Sequence, residues 1–140
     1  MSADIGMLFV YVPFKILALV RKVSPYFAYW KNAFSKSDPV GVYVYCRGGA
    51  RTDSGYHARM FDPDFGISED AATWAAAVGF SRVIEAFEID AQTKYETIIE
   101  QGFEMKRPSL LKLEVEFQSK GIKLVRLGGK AVLVASGELM

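Results

Sequence analysis

The chain has 140 residues, 51% of them hydrophobic, and its 17 basic and 16 acidic side chains leave a net charge of +1. This length and composition suit one domain with one core, so we predict that residues 1–140 fold as a single domain. The balanced charge gives no support to a nucleic-acid surface, and the single cysteine excludes an internal disulfide.

Two apolar runs, Ile5–Val12 and Phe14–Val20, lie near the amino terminus. Pro13 and Lys15 interrupt them, and neither run approaches the ~20 residues that cross a bilayer. Because no basic leader or small-residue cleavage site accompanies them, a signal peptide is not predicted. We therefore expect a soluble, cytoplasmic protein without a membrane partner.

The first part of the chain predicts three strands and one helix. Aromatic residues recur every four positions between Pro25 and Phe34, which is typical of a short amphipathic helix with the proline in its first turn. The glycine-rich stretch 47–55 predicts a loop, and Asp38-Pro39 and Asp62-Pro63 predict turns. The predicted strands are Met7–Val12, Gly41–Cys46 and Tyr56–Phe61.

The segment Ser68–Phe87 predicts a long helix. Ser68 can cap its start, and Glu69 and Asp70 suit its first turn because their charges meet the positive end of the helix dipole. The stretch Ala71–Ser81 contains no charged residue, and a helix without a polar face is enclosed by other elements. We therefore expect a buried central helix.

The remaining residues predict the sheet that encloses this helix. Apolar and charged side chains alternate over Leu111–Phe117, which is the period of a half-buried strand. Ile122–Leu127 and Lys130–Ala135 flank Gly128-Gly129 and predict a hairpin, and Tyr95–Gln101 predicts a further strand. The predicted fold class is α+β, with a mixed sheet wrapped around one long central helix.

Three motifs occur in order along the chain. They are Arg59–Phe61 with Gly66–Thr73, then Gln101–Ser109, and finally Gly128–Val132 with Gly137–Leu139. They resemble the PhzF (phenazine biosynthesis) family, whose members read R-x-F-x-P-x-x-G-I-x-E-D-P-A-T-G-S-A, Q-G-x-x-M-x-R-P-S, and G-G-x-A-V followed by G-x-L. Since Asp4-Ile5-Gly6 also looks like the start of that family's second domain, the chain resembles its carboxyl-terminal half.

The resemblance implies a diaminopimelate epimerase-like fold, in which two halves each wrap a sheet around a helix and the active site lies between them. It implies isomerisation by cofactor-free general acid/base proton transfer on a small carboxylate-bearing substrate of the dihydro-hydroxyanthranilate type. In that family a glutamate of the first half is the main acid/base, and the aspartate at the position of Asp70 assists. No metal is implied. Substrate-binding roles are implied for Glu69, Ala72, Thr73, Trp74, Ala75, Gln101, Gly102 and Arg107.

Three positions depart from the family pattern. Ala71, Trp74 and Ala75 stand where the family has proline, glycine and serine. An indole fills space that glycine leaves open, and loss of the serine removes a hydrogen-bond donor. We therefore hypothesise that the isolated chain has weak or no isomerase activity, and that an amino-terminal half protein or a homodimer completes the cleft. The alternative is a non-catalytic remnant or binding module that keeps the fold and binds a small acid or a partner protein.

Several of these residues also have structural interpretations. Asp70 can be a helix-capping carboxylate, Glu69 can bond to a neighbouring loop, and Arg107 can form a structural salt bridge. His57 is the only histidine, so no metal site is predicted and an ordinary strand residue is expected. Cys46 is expected to be a small buried hydrophobe. The sequence does not predict which acid is the substrate.

Overall fold

Residues 2–4, 8–34, 40–87 and 93–138 are described by the structure, a computed structural model. Within these ranges, eight strands and three α-helices form the fold. The strands are β1 (Ser2–Asp4), β2 (Leu8–Pro13), β3 (Val40–Arg47), β4 (Tyr56–Asp62), β5 (Ile67–Asp70), β6 (Lys94–Gln101), β7 (Ser109–Gln118) and β8 (Gly121–Gly128). The helices are α1 (Leu17–Lys22), α2 (Phe27–Phe34) and α3 (Trp74–Phe87). Met7 of the predicted first strand and the predicted Asp38-Pro39 turn lie outside the described residues.

The strands form one mixed sheet in the order β1-β2-β3-β4-β6-β7-β8, and β5 pairs with β4 beside this path. β2 runs parallel to β3, and β4 runs parallel to β6, while the other neighbours are antiparallel. α3 contacts β1 and β2 near one end of this order and β7 and β8 near the other. Because one helix touches both ends, the sheet curls around it. The predicted α+β fold with a mixed sheet around a central helix is confirmed.

Aromatic side chains and alanines fill the space between the sheet and α3. The ring of Phe80 is fully buried, and its centroid lies 4.7 Å from that of Tyr45 and 4.9 Å from that of Tyr56. The hydroxyl of Tyr11 donates a 2.8 Å hydrogen bond to the backbone oxygen of Ala76. The small side chains of the helix thus allow the strands to approach its backbone closely.

A second, smaller core lies on the other face of the sheet, under α1 and α2. Its buried members are Val20, Trp30, Val44, Cys46 and Phe61. Side chains alternate along a strand, so β3 contributes Val44 and Cys46 to this core and Tyr43 and Tyr45 to the first. Cys46 is buried as predicted, and burial raises the pKa of its thiol. The predicted aromatic helix is present, but it begins at Phe27.

The central helix begins later than predicted. Ser68–Asp70 lie in β5, which pairs antiparallel with β4, and α3 begins only at Trp74. The turn at Gly66, whose φ is 74°, brings the chain back along β4, so strand pairing outweighs the capping preference of the Ser-Glu-Asp sequence. Thr73 stands immediately before the helix, and its backbone oxygen accepts a hydrogen bond from the N–H four residues on. The helix is also less enclosed than predicted, because Trp74 is 49% exposed and Arg82 is exposed.

The last predicted strand is not formed in the described part of the chain. A hairpin joins β7 to β8 through a turn at Gly121, whose φ is 110°, so the predicted hairpin of Ile122–Leu127 with Lys130–Ala135 is wrong. Lys130–Ala135 pairs with no described strand, and its side chains Val132–Val134 are 84–92% exposed. Alternating and β-branched residues favour a strand, but a strand also needs a partner.

Candidate functional site

The turn from β5 into α3 presents one oriented carboxylate. Asp70 ends β5 and remains partly exposed, while Thr73 is buried immediately before α3. The hydroxyl of Thr73 donates a 2.6 Å hydrogen bond to Oδ2 of Asp70. This bond fixes the carboxylate beside the start of the helix.

Gln101, the last residue of β6, holds this turn in place from the sheet. Its fully buried side chain donates through Nε2 to the backbone oxygen of Asp70 and to Oγ1 of Thr73, each at 2.8 Å. Its Oε1 accepts from the backbone N–H of Thr73 at 3.2 Å and from the hydroxyl of Tyr43 at 3.3 Å. Burial raises the pKa of Tyr43, so this hydroxyl remains a neutral donor. Gln101 therefore uses its full hydrogen-bonding capacity to position the turn.

Gly102 follows Gln101 and permits a close approach of two backbone segments. Its φ is 77°, and a Cβ there would lie 2.4 Å from the backbone oxygen of Arg107 and 2.8 Å from that of Ala71. The N–H of Arg107 donates a 2.9 Å hydrogen bond back to the oxygen of Gly102. The Arg107 side chain is exposed, and the salt bridge considered for it is not found among the described residues.

An open groove with a volume of ≈ 720 Å³ lies beside the turn. Ala72 and Trp74 line it, and the start of β7 and the residues after β8 supply other parts of its wall. A Cβ built on Gly129 would lie 3.4 Å from the indole of Trp74, so the ring rests against the chain that leaves β8. Asp70 does not itself line the groove, and Ala72 is the lining residue nearest to it in sequence.

Three cations and one carboxylate line this groove, namely Arg51, Lys112, Lys130 and Asp53. Asp53 accepts two hydrogen bonds from the Arg51 guanidinium, at 2.9 and 2.8 Å, and this contact raises the pKa of Arg51 and lowers that of Asp53. Lys112 lies 3.5 Å from Glu96, whereas Lys130 has no ion-pair partner among the described residues. The excess of positive charge suits an anionic small molecule.

Comparisons with known proteins identify the family. A sequence model described as phenazine biosynthesis-like protein, PhzC-PhzF, matches residues 2–137. The chain belongs to the PhzC-PhzF family. An uncharacterized isomerase of Mesorhizobium japonicum is 41% identical over 97 residues, which are 69% of this chain and 32% of that protein. The chain thus spans about a third of the length of this curated relative.

Two solved structures of phenazine biosynthesis proteins of the PhzF family share the fold of this PhzC-PhzF chain. The Bacillus anthracis protein has a TM-score of 0.76 at 18% identity, over 91% of this chain and 46% of its own. The Enterococcus faecalis protein has a TM-score of 0.51 at 21% identity, over 94% of this chain and 46% of its own. The chain therefore corresponds to about half of each.

Glu69, the other acid of the family motif, lies in an ion pair rather than in the groove. The guanidinium of Arg59 donates two hydrogen bonds to its carboxylate, both 2.8 Å long. Arg59 also donates to the backbone oxygens of Val20, Arg21 and Val23. This arrangement ties β5 to the end of α1, which fits the structural interpretation of Glu69.

A buried ionic cluster around Glu100 was not predicted. Nδ1 of His57 lies 2.7 Å from Oε2 of Glu100, and Nε2 lies 3.0 Å from Oε1 of Glu104. The N–H groups of Ala50 and Arg51 donate to the Glu100 carboxylate at 2.8 and 2.7 Å. Burial alone would raise the pKa of Glu100, but the hydrogen bonds hold it below the usual glutamate range. The sequence did contain one signal for this cluster. Glu100, a charged residue, directly follows Ile98 and Ile99 in a predicted strand.

The predicted site residues of this family member thus separate into four groups. Asp70, Thr73 and Gln101 form the polar turn, while Ala72 and Trp74 line the groove. Ala75 packs against the core between the sheet and α3, and the contacts of Glu69, Gly102 and Arg107 are those described above. In the described ranges, no cluster of three or more His, Cys, Asp or Glu side chains could hold a metal. No helix there is long and apolar enough to span a membrane.

Proposed function

We propose that this PhzC-PhzF chain is an isomerase domain that transfers a proton by cofactor-free general acid/base chemistry on a small carboxylate-bearing substrate. The groove needs a second wall, from an amino-terminal half or a second copy, and the chain alone is weakly active or inactive. The observation that carries the proposal is the oriented Asp70 carboxylate at a turn beside a positively lined groove. We also propose a cytoplasmic location, since the single cysteine is typical of reducing compartments.

The groove can attract and orient an acid. Lys112 and Lys130 both line it, and their positive charges favour the binding of an anion there. A substrate carboxylate is stabilised between these charges. The reacting carbon then lies toward the turn.

Asp70 acts as the assisting acid/base in this proposal. Its carboxylate is partly exposed and held at one oxygen by Thr73, and Gln101 fixes the backbone at Asp70 and at Thr73. A fixed carboxylate can accept a proton from one substrate carbon and return it to another. The main acid/base is the glutamate that the family resemblance assigns to the other half.

Trp74 supports a second candidate, a non-catalytic binding module. Its indole lines the groove where the family pattern has glycine, and the next residue, Ala75, lacks the hydroxyl of the family serine. A half-exposed indole is a stacking surface for a flat ligand or a partner side chain. In this candidate function, the groove binds an acid but does not catalyse its conversion.

Deuterium uptake from heavy water into a dihydro-hydroxyanthranilate-type acid tests the proposal. The proteins compared are the isolated chain and a chimaera in which this chain replaces the matching part of the Mesorhizobium relative. We expect no uptake above buffer for the isolated chain and clear uptake for the chimaera. Asp70→Asn should lower uptake by the chimaera about 100-fold, the effect of losing one acid/base group.

Each other result contradicts part of the proposal. Strong uptake by the isolated chain would show that no second wall is needed. A chimaera that is folded by circular dichroism yet inactive would refute isomerase activity. If the double substitution Trp74→Gly with Ala75→Ser then restored uptake, the binding module would be the better account, because the departures from the family pattern would be what blocks the chemistry.

A further inference from the structure

Large apolar side chains are exposed on the outer side of α1 and α2. Val20 of α1 and Trp30 of α2 are buried in the core beneath these helices, so the opposite side of each helix faces solvent. The exposed side chains, with exposed fractions from 42% to 68%, are Ile16, Leu19, Tyr26, Phe27 and Tyr29. We call these five side chains the α1–α2 surface. Large apolar side chains that are exposed as a group mark an interaction site more than scattered ones do.

The charged residues around the α1–α2 surface are all basic. Within residues 8–34 they are Lys15, Arg21, Lys22 and Lys31, and each is exposed, although the whole chain has a net charge of only +1. Arg21 lies 3.7 Å from Glu104, whereas the three lysines form no ion pair within the described part of the chain. A partner that covers this surface must therefore supply negative charge next to an apolar environment.

The α1–α2 surface is separate from the groove. Among the described residues, none that lines the groove comes from α1 or α2. The core beneath these helices also lies on the face of the sheet opposite α3. A wall that closes the groove can therefore leave the α1–α2 surface uncovered, and the inference does not require the chain to be an isomerase.

We propose that the α1–α2 surface binds the interface of an anionic lipid bilayer. Tyrosine rings favour the level of the lipid headgroups, because one end of the ring is apolar and the other is polar. Tyr26 and Tyr29 suit this level, and their ring centroids lie only 5.0 Å apart. The lysines beside them attract anionic headgroups, while the aliphatic and phenylalanine side chains enter the edge of the hydrocarbon region.

Binding to a bilayer surface needs no spanning segment. The short apolar runs that argue against a span therefore do not argue against this binding, and the proposal replaces the expectation, drawn from those runs, of a protein without a membrane partner. The cytoplasmic leaflet of cell membranes is anionic, which agrees with the proposed cytoplasmic location.

Co-sedimentation of the 140-residue chain with lipid vesicles tests the charge of the surface. Vesicles of equal parts phosphatidylglycerol and phosphatidylcholine should bind the chain at low ionic strength, and vesicles of phosphatidylcholine alone should bind it much less. Lys22→Gln and Lys31→Gln should each lower the partition coefficient about fivefold, the effect of one cation near an anionic surface. Salt at about 0.5 M should weaken binding, because it screens exposed charges.

The double substitution Tyr26→Ser with Tyr29→Ser tests the aromatic contribution. It should lower the partition coefficient about tenfold, because two rings no longer enter the interface. Lys120→Gln and Phe87→Ser are the matched controls, since both residues are exposed outside this surface, and they should leave binding unaltered. All the substituted side chains are exposed, so the far-ultraviolet spectrum of every variant should match that of the unchanged chain.

Four results would overturn the proposal. They are no binding to anionic vesicles at low ionic strength, equal binding to both kinds of vesicle, lysine variants that bind as well as the unchanged chain, and control variants that lose as much binding as the test variants. If the tyrosine variant kept full binding while the lysine variants lost it, the surface would recognise charge alone. That result would also contradict bilayer insertion, and it would fit an acidic protein partner instead.

Discussion

Glu100 and Gln101 are consecutive residues whose side chains hold two different parts of the molecule. Side chains alternate along a strand, so Glu100 points to the loop at residues 48–51 and His57. Gln101 points to the turn that carries Asp70. Both side chains are fully buried, and buried polar groups are costly unless they are satisfied. The end of β6 thus positions both the Arg51 side of the groove and the candidate acid.

Glu100→Gln should destabilise the fold in a pH-dependent way. The amide would leave one backbone N–H facing another donor and would remove the charge opposite His57, at a cost of about 3 kcal/mol near neutral pH. The folded-state pKa of Glu100 lies below the usual value, so its carboxylate stabilises the fold above the unfolded value of about 4.3. That stabilisation is lost as the pH falls through the folded-state pKa. The difference between variant and unchanged chain should therefore shrink in acid.

Urea unfolding at a series of pH values measures this difference. Glu96→Gln is the matched control, because Glu96 lies on the same strand but is exposed and pairs at the surface with Lys94 and Lys112. It should alter the free energy of unfolding little. A Glu100 variant as stable as the unchanged chain near neutral pH would show that the cluster does not stabilise the fold.

The turn between β5 and α3 depends on a close backbone contact at Gly102. Gly102→Ala should cost at least about 3 kcal/mol, because its Cβ would be forced onto two backbone oxygens in addition to the strain of a positive φ. Gly48→Ala is the control, since Gly48 has a similar φ of 73° but nothing within 4 Å of a built Cβ. It should cost only about 1 kcal/mol. Equal losses in thermal or urea unfolding would contradict the close-contact explanation.

The sequence predicted the elements whose patterns are local, and it failed where pairing decided the structure. Alternation along β7 and the strand formers of β3 and β4 were sufficient, because each segment finds a neighbour in the sheet. Ser68–Asp70 has the sequence of a helix start, yet β4 lies alongside and the segment pairs with it. Lys130–Ala135 has the sequence of a strand, yet no described strand lies beside it. Neither outcome is visible in a short window of sequence.

The candidate site was predictable only in part for the same reason. The family motifs predicted the site residues Asp70, Thr73 and Gln101. The structure brings these residues within hydrogen-bonding distance of one another, although they are up to 31 residues apart in sequence. The positive charge of the groove was not predicted, because Arg51, Lys112 and Lys130 come from three separate segments. The Glu100 cluster was missed because its partners lie 43 to 50 residues away in sequence.

Among the described residues one curled sheet wraps around α3, and the chain corresponds to about half of each solved relative. The groove of this chain is open to solvent. A small ligand gains most of its affinity from being enclosed. Binding to this chain alone is therefore expected to be weak, and a second wall is expected to strengthen it.

Nuclear magnetic resonance titration of the labelled chain with anthranilate measures most directly whether the turn and groove form the ligand site. We predict a dissociation constant in the range of about 1 mM, with shifts centred on the Ala72 amide, the Trp74 indole N–H and the Gly129 amide. The amides of α2, on the opposite face of the sheet, should not move. No shift at saturating ligand, or shifts centred on α2 while the groove stays unchanged, would contradict the account.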